Sequence, residues 1–390
     1  MLEHSPPLPL IIDYDEEDDI TAEDEEGMSL SLELRNRVRR IRLQLTVQRL
    51  QKVIVAINEE YTILDYLYLA PPEPEKEDTI LVLPESLQAP HLRHLVLVGF
   101  SLPIGSRLLT TAVSFLTLCL AIVHPSTYFH PNTLLQWISF MPQLEMLMVL
   151  FLFPVLNRDV ERQLRLTPIT SHVTLPNLLQ FSFGGASTYM EAVVRHITPP
   201  RLEHLDIKFL NELMFSIPCL LQFMNATENL RLSRAQFSFS DDQVSVEVFS
   251  NDTKIHALSI DVDCCHLDWQ VSSAAQIFNT LSQKFSAVEH LTFKDRASRR
   301  SSEEHIEADR AELRKLLGSF GNVKTLRIPS GRLVGEFSRC LRLDDGESPL
   351  ELLPELQELT FPKIDDVNGA FTQFIDAREN AGRPVTLTRR

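Results

Sequence analysis

The first 34 residues contain no lysine or arginine, but they hold twelve aspartates and glutamates. A start with no basic residue ahead of its apolar stretch does not fit a secretory signal. A run this acidic repels nucleic-acid phosphates, so no nucleic-acid partner is expected. It carries most of the net charge of −16, because the remaining residues sum to −4. Such a run reads as a solvated tail or loop, or as an acidic docking segment.

Charge of either sign is missing from Leu108 to Leu144. Leu108–Val123 is nevertheless short for a membrane span, is interrupted by threonine and serine, and is followed by His124-Pro125. It predicts buried core rather than a membrane segment. Cysteine is sparse: Cys119, Cys219, Cys264, Cys265 and Cys340 are scattered and odd in number. No disulfide framework follows from that pattern. It predicts reduced, mostly buried thiols in an intracellular protein, cytoplasmic or nuclear.

Catalytic signatures are lacking too. There is no Gly-rich phosphate loop, G-x-S-x-G elbow or H-E-x-x-H helix. The stretch Asp261-Val-Asp-Cys264-Cys265-His266-Leu-Asp268 gathers ligand-type side chains. Adjacent cysteines without a second spaced pair do not match a zinc module, so it reads as a strand end entering a loop. The expectation is a non-enzyme with no metal and no cofactor.

What is present is a recurring apolar phrase. Five copies follow a proline: Pro90-His-Leu-Arg-His-Leu-Val-Leu97, Pro142-Gln-Leu-Glu-Met-Leu-Met-Val149, Pro176-Asn-Leu-Leu-Gln-Phe-Ser-Phe183, Pro200-Arg-Leu-Glu-His-Leu-Asp-Ile207 and Pro354-Glu-Leu-Gln-Glu-Leu-Thr-Phe361. L-x-x-L-x-L spacing cannot bury its leucines alone, so the copies must stack. A chain of 390 residues also exceeds one compact core, which suits an elongated stack. The middle apolar residue of each phrase predicts twelve strands, anchored at Ile41, Leu67, Leu95, Leu116, Leu147, Phe181, Leu205, Leu230, Leu258, Leu291, Leu326 and Leu359. The intervals between anchors run from 21 to 35 residues, long enough to hold helices.

Helical periodicity occupies several intervals. Leu50, Val53, Ile54 and Ile57 form one stripe over 48–59, and Met190, Val193, Val194 and Ile197 form another over 187–198. Further helices are predicted over 132–141, 217–225, 272–285, 302–317 and 369–380, with Ser301 and Glu304 as a capping box. The predicted fold is α/β: an irregular leucine-rich-repeat solenoid with parallel strands on a concave side and helices on a convex side. Residues 1–34 form an acidic segment with a capping strand at 8–14, and 35–388 form one solenoid of about twelve degenerate repeats. The asparagine that usually follows the strand is absent, being replaced by Phe100, Leu152, Ala186, Leu210 and Ile364. Irregular turns are therefore expected. Pro71–Asp78 reads as an inserted loop.

Alternation along each strand then selects the residues that face a partner. The first half presents Tyr66, Tyr68, His94, Phe115, Met146 and Met148, which suit an apolar anchor. Phe115 and the methionines would equally suit cover by a neighbouring loop. The second half presents His204, Asp206, Lys208, Arg231, His290, Lys294 and Arg327, which would select polar partners. Arg299-Arg300-Ser301-Ser302 fits a basophilic kinase site, or an ordinary polar loop with a helix cap, with Ser301 and Ser302 as candidate phosphoacceptors.

With the repeats placed, the chain resembles the F-box and leucine-rich-repeat proteins abundant in mushroom-forming fungi. The resemblance covers essentially the whole chain and rests on Leu8-Pro-Leu-Ile-Ile-Asp-Tyr14, Arg37-Val-Arg-Arg-Ile-Arg42, Leu87-Gln-Ala-Pro-His-Leu-Arg-His-Leu95, Leu175-Pro-Asn-Leu178, and Phe374-Ile-Asp-Ala-Arg378 through Arg383-Pro-Val385. It implies the substrate-binding region of an SCF ubiquitin-ligase receptor, with an unknown protein as partner. The chain starts where such sequences resume after the F-box, so an SCF adaptor is implied only if an F-box lies upstream. A stand-alone or decoy binding protein is the alternative.

Overall fold

The structure is a computed structural model that describes residues 8–15, 20–72, 80–103, 105–111, 114–153, 156–210, 212–227, 229–230, 232–250, 255–296, 309–344, 346–362 and 371–389. It is a mixed α/β chain whose strands are mostly parallel, with eleven helices among the described residues. Two compact units divide it: Met1–Gly185 with Ala192–Leu202, and Ala186–Glu191 with Glu203–Arg390.

In the first unit seven strands follow one another in chain order, all parallel. They are Leu10–Asp15, Val38–Gln44, Tyr66–Ala70, His94–Val98, Thr117–Ile122, Met146–Phe151 and Gln180–Gly185. The repeated phrase explains the register. Ile12, Ile41, Leu67, Leu95, Leu118, Leu147 and Phe181 lie opposite one another across the strands. Each is buried, so the row forms one apolar spine. One anchor differs from expectation: Leu118 takes the place predicted for Leu116. Leu116 stops short of the strand, its N–H donating to the Arg93 carbonyl at 2.8 Å. A slip of two residues preserves which face each residue meets, but it drops Phe115 out of the strand. Phe115 is fully buried, and its placement on the exposed face is corrected accordingly.

The acidic start is more ordered than a solvated tail. Ala22–Glu33 is a helix, opened by a capping box in which the Thr21 side chain accepts from the Asp24 N–H and the Asp24 carboxylate accepts from the Thr21 N–H. Glu23, Asp24 and Glu25 fill its first turn, where the helix dipole favours negative charge. Glu25 accepts from Arg49 at 2.8 Å and Lys52 at 3.0 Å on the neighbouring helix Val47–Ala56. Those two partners, Lys52 foremost, hold Glu25 below the usual carboxylate range. Met28 and Leu32 are buried beneath. The strand Leu10–Asp15 overlaps the expected capping strand.

The second unit departs from simple succession. In space the order is His204–Phe209, His256–Asp263, Gln243–Phe249, Arg234–Phe239, His290–Asp295, Thr325–Arg327, Glu358–Phe361 and Thr386–Arg389. Gln243–Phe249 runs antiparallel to both its neighbours. Among the described residues no strand forms around Leu230, which is buried. A hairpin replaces the expected strand. Ala235, Phe237, Phe239 and Val244, Val246, Val248 alternate with polar residues and are buried, which is the period of a half-buried strand. Ser240 closes the turn, its N–H donating to the Gln243 carbonyl at 2.9 Å.

Helices form at Pro131–Ser139, Ser187–Val194, Pro218–Asn225, Leu267–Phe285, Arg310–Gly318 and Thr372–Asn380, near the expected places. Arg107–Thr111, Asn157–Leu166 and Gly331–Cys340 were not expected. Two buried carboxylates in the second unit cap helices. Glu191, on the Ser187–Val194 helix, accepts from the N–H groups of Cys219 and Leu220 at 2.8 Å each, at the start of Pro218–Asn225. Glu212 accepts from the N–H of Ser187 at 2.9 Å and its hydroxyl at 2.6 Å, at the start of Ser187–Val194. Arg378 is also wholly buried, donating to the carbonyls of Pro349, Leu353, Pro354 and Leu356.

Candidate functional site

Because alternate strand residues point to opposite faces, burying the leucine spine leaves the intervening side chains half-exposed on the other side. In the first unit they line up in two rows. The first reads Ile11, Arg40, Tyr66, His94, Thr117, Met146, Gln180; the second reads Asp13, Arg42, Tyr68, Val96, Cys119, Met148, Ser182. Neighbours in a row interact. The Arg40 guanidinium lies 4.3 Å over the Tyr66 ring, and Tyr66 is 6.0 Å from His94, centroid to centroid. His94 Nδ1 is hydrogen-bonded to the Thr117 hydroxyl at 3.1 Å. In the second row Arg42 lies 5.6 Å over Tyr68, and the Cys119 thiol donates to Met148 Sδ at 3.2 Å. Asp13 and Asp15 hold Arg42 from the other side at 3.0 and 3.5 Å. Burial pushes the Cys119 thiol up to about 11, so it stays protonated and apolar in character at neutral pH. Burial likewise raises Tyr68, whose hydroxyl stays neutral.

Tyr66, Tyr68, His94, Met146 and Met148 thus stand together on one face. Arg40 and Arg42 belong to the same face and were missed, although both flank the anchor Ile41. Applying the alternation from Ile41 onward, instead of from Leu67, would have found them. At the N-terminal ends of these strands lies an open recess of about 440 Å³, lined by Arg39, Arg40, Asp65, Tyr66, Arg93 and His94 with Ile11.

The second unit presents a different surface. Across its strands Asp206, Ser259, Glu247, Gln236, Thr292, Arg327 and Thr360 lie in one row, and Lys208, Asp261, Ser245, Ser238 and Lys294 in the next. Several of the charges there are paired internally. Lys208 meets Asp263 at 3.2 Å, His256 meets Asp206 at 2.9 Å, and Gln236 donates to Glu247 at 2.9 Å. His204 Nδ1 approaches the His256 carbonyl at 3.0 Å, and His290 Nδ1 approaches the Thr325 hydroxyl at 2.7 Å. Burial raises the Asp261 carboxyl. Arg231, Ser301 and Ser302 lie outside the described residues.

What the arrangement offers chemically is contact, ion pairing and hydrogen bonding. Among the described residues no group of three or more His, Cys, Asp or Glu converges as a metal site would require. The five cysteines form no disulfide, and burial pushes Cys264 and Cys340 up to about 12. Among the described residues no helix is long and apolar enough to cross a membrane. The uncharged stretch after Arg107 holds instead the short helix Arg107–Thr111 and the strand Thr117–Ile122. No protein-family model matches the chain, and no curated protein matches it.

Proposed function

We propose that this chain is a non-catalytic protein-recognition scaffold, an irregular leucine-rich-repeat solenoid resembling the substrate-binding region of an SCF F-box receptor. The observation that carries the reading is the pair of rows in the first unit. They put Tyr66 and Tyr68, and three strands further along Met146 and Met148, on one face opposite the leucine spine, with His94, Thr117, Val96 and Cys119 between them. Tyrosine and methionine are residues that anchor protein interfaces: rigid rings give contact area at low entropic cost, and thioethers adapt to irregular surfaces. His204, Lys208, Lys294 and Arg327 would add polar selection in the second unit.

The test is capture of a partner identified by crosslinking in the native host. Tyr66→Ala combined with Met148→Ala should weaken capture about tenfold or more while the chain stays folded. Unchanged capture sinks the reading. Coupling to ubiquitination is tested separately, by whether an SCF adaptor co-purifies with the gene product.

A further inference from the structure

The recess in the first unit carries chemistry that the tyrosine and methionine rows do not use. It runs across the starts of three adjacent parallel strands. The Asp65 N–H donates to the Arg39 carbonyl and the Arg93 N–H to the Asp65 carbonyl, each at 2.9 Å. That places Arg39, Asp65 and Arg93 side by side, about 4.8 Å apart. A second recess of about 320 Å³ shares all three residues and adds Ile63, His91 and Ser114. The two therefore form one trough.

Its charge balance is unusual for this chain. Arg39 spends its guanidinium on Asp65, Nε to Oδ2 at 2.7 Å. Arg40 and Arg93 have no carboxylate partner among the described residues. The Arg40 Nε is buried with no hydrogen-bond acceptor while the rest of the head stacks on Tyr66. An incoming carboxylate would give that guanidinium the charge partner it lacks. Two uncompensated arginines thus sit in an open trough on a chain of net charge −16.

We propose that the trough docks an acidic peptide segment, resting on the recognition reading above and naming the chemistry of the partner. Carboxylates of the segment pair with Arg40 and Arg93, and an apolar side chain between them lies against Tyr66 and the exposed Ile11. The trough is open and crosses three strands, which suits an extended peptide better than an enclosed small molecule. A nucleic acid is disfavoured. Its phosphates would run on over Asp13 and Asp15, which face the same side.

A fluorescein-labelled decapeptide of alternating Glu and Leu, titrated with the full chain, tests this. Anisotropy should rise at low salt and weaken as salt is added, and the matching Gln-Leu peptide should bind at least about tenfold more weakly. Arg93→Glu, at an exposed position, should weaken binding about tenfold or more; Arg40→Lys should weaken it less than Arg40→Glu. Arg162→Glu, on a distant and exposed helix, should leave it unchanged. Equal binding of the Gln-Leu peptide, indifference to Arg93→Glu, or an equal loss with Arg162→Glu overturns the proposal. A partner lost with Met148→Ala yet indifferent to Arg93→Glu overturns the acidic-peptide site and leaves the recognition reading standing. Tight peptide binding with no partner sensitive to Met148 does the opposite.

Discussion

The two units are built from the same phrase, yet their half-exposed faces are made of different side chains. On the first unit's face, arginines stack on tyrosines, thioethers stand half-exposed, and the trough keeps two cations without counter-charges. On the second unit's face lysine, histidine and glutamine meet carboxylates of the same surface. A partner docking on the first displaces mainly water. On the second it must compete with pairs already made, so affinity there comes only from geometry that improves on them. Substitution of buried polar groups should act on stability in the second unit, and of exposed ones on binding in the first.

The strongest challenge to that contrast is Arg378→Met. It strips four carbonyls of their donor inside the second unit, and a loss on the order of 3–5 kcal/mol is expected, read by denaturant melts. Hydrogen exchange should localise the loss around 349–356 and spare the first unit's strands; exchange rising equally in both would break the contrast. Glu191→Ala comes next. It uncaps Pro218–Asn225 and leaves two amide donors unpaired, for a loss of about 1–3 kcal/mol without effect on peptide binding in the trough.

Smaller effects sharpen the same line. Arg42→Ala should change stability by less than about 1 kcal/mol, because its partners Asp13 and Asp15 are partly exposed, while reducing partner capture. Lys208→Ala should be as mild for stability; a large loss of capture there would show that the second face binds as strongly as the first. The smallest effect concerns Asp261. Its folded-state carboxyl is raised, so its contribution to stability is present below the ordinary aspartate range and lost as pH rises through the folded value. Asp261→Asn should therefore be stabilising at neutral pH and close to neutral in acid, as thermal melts at the two pH values would show.

The apolar spine of the first unit was legible because leucine spacing and burial agree: Leu67, Leu95, Leu147 and Phe181 sit where the phrase puts them. Leu116 was misread because Leu118 and Leu120 continue the same alternation, and the text of the chain cannot choose between registers two residues apart. Leu230 was misread for a different reason. Asn229-Leu-Arg-Leu232 fits the repeat template, while the real strands announce themselves by period two, Ala235 to Phe239 and Val244 to Val248. Local hairpin pairing outweighed the repeat. The helix Ala22–Glu33 was hidden by its acidity, since its stability comes from Thr21 capping and from Arg49 and Lys52, which lie some 25 residues away in sequence. Of the candidate site, the parity of Tyr66, Tyr68, Met146 and Met148 was readable, but the trough was not. It depends on which strands become neighbours at their N-terminal ends.

The hairpin inserted in the second unit also bears on how the chain assembles during synthesis. In the first unit each new strand finds its neighbour already waiting, so the sheet can grow outward as residues leave the ribosome. His204–Phe209 pairs with a strand about 50 residues further on, the separation between Asp206 and His256. Until that later segment emerges, one side of an apolar strand stands open, and Arg234–Phe239 and Gln243–Phe249 must fold back on themselves before they can be seated. The second unit is thus the part of the chain exposed to mispairing and aggregation while incomplete, and the part whose yield would respond to slower translation or added chaperone.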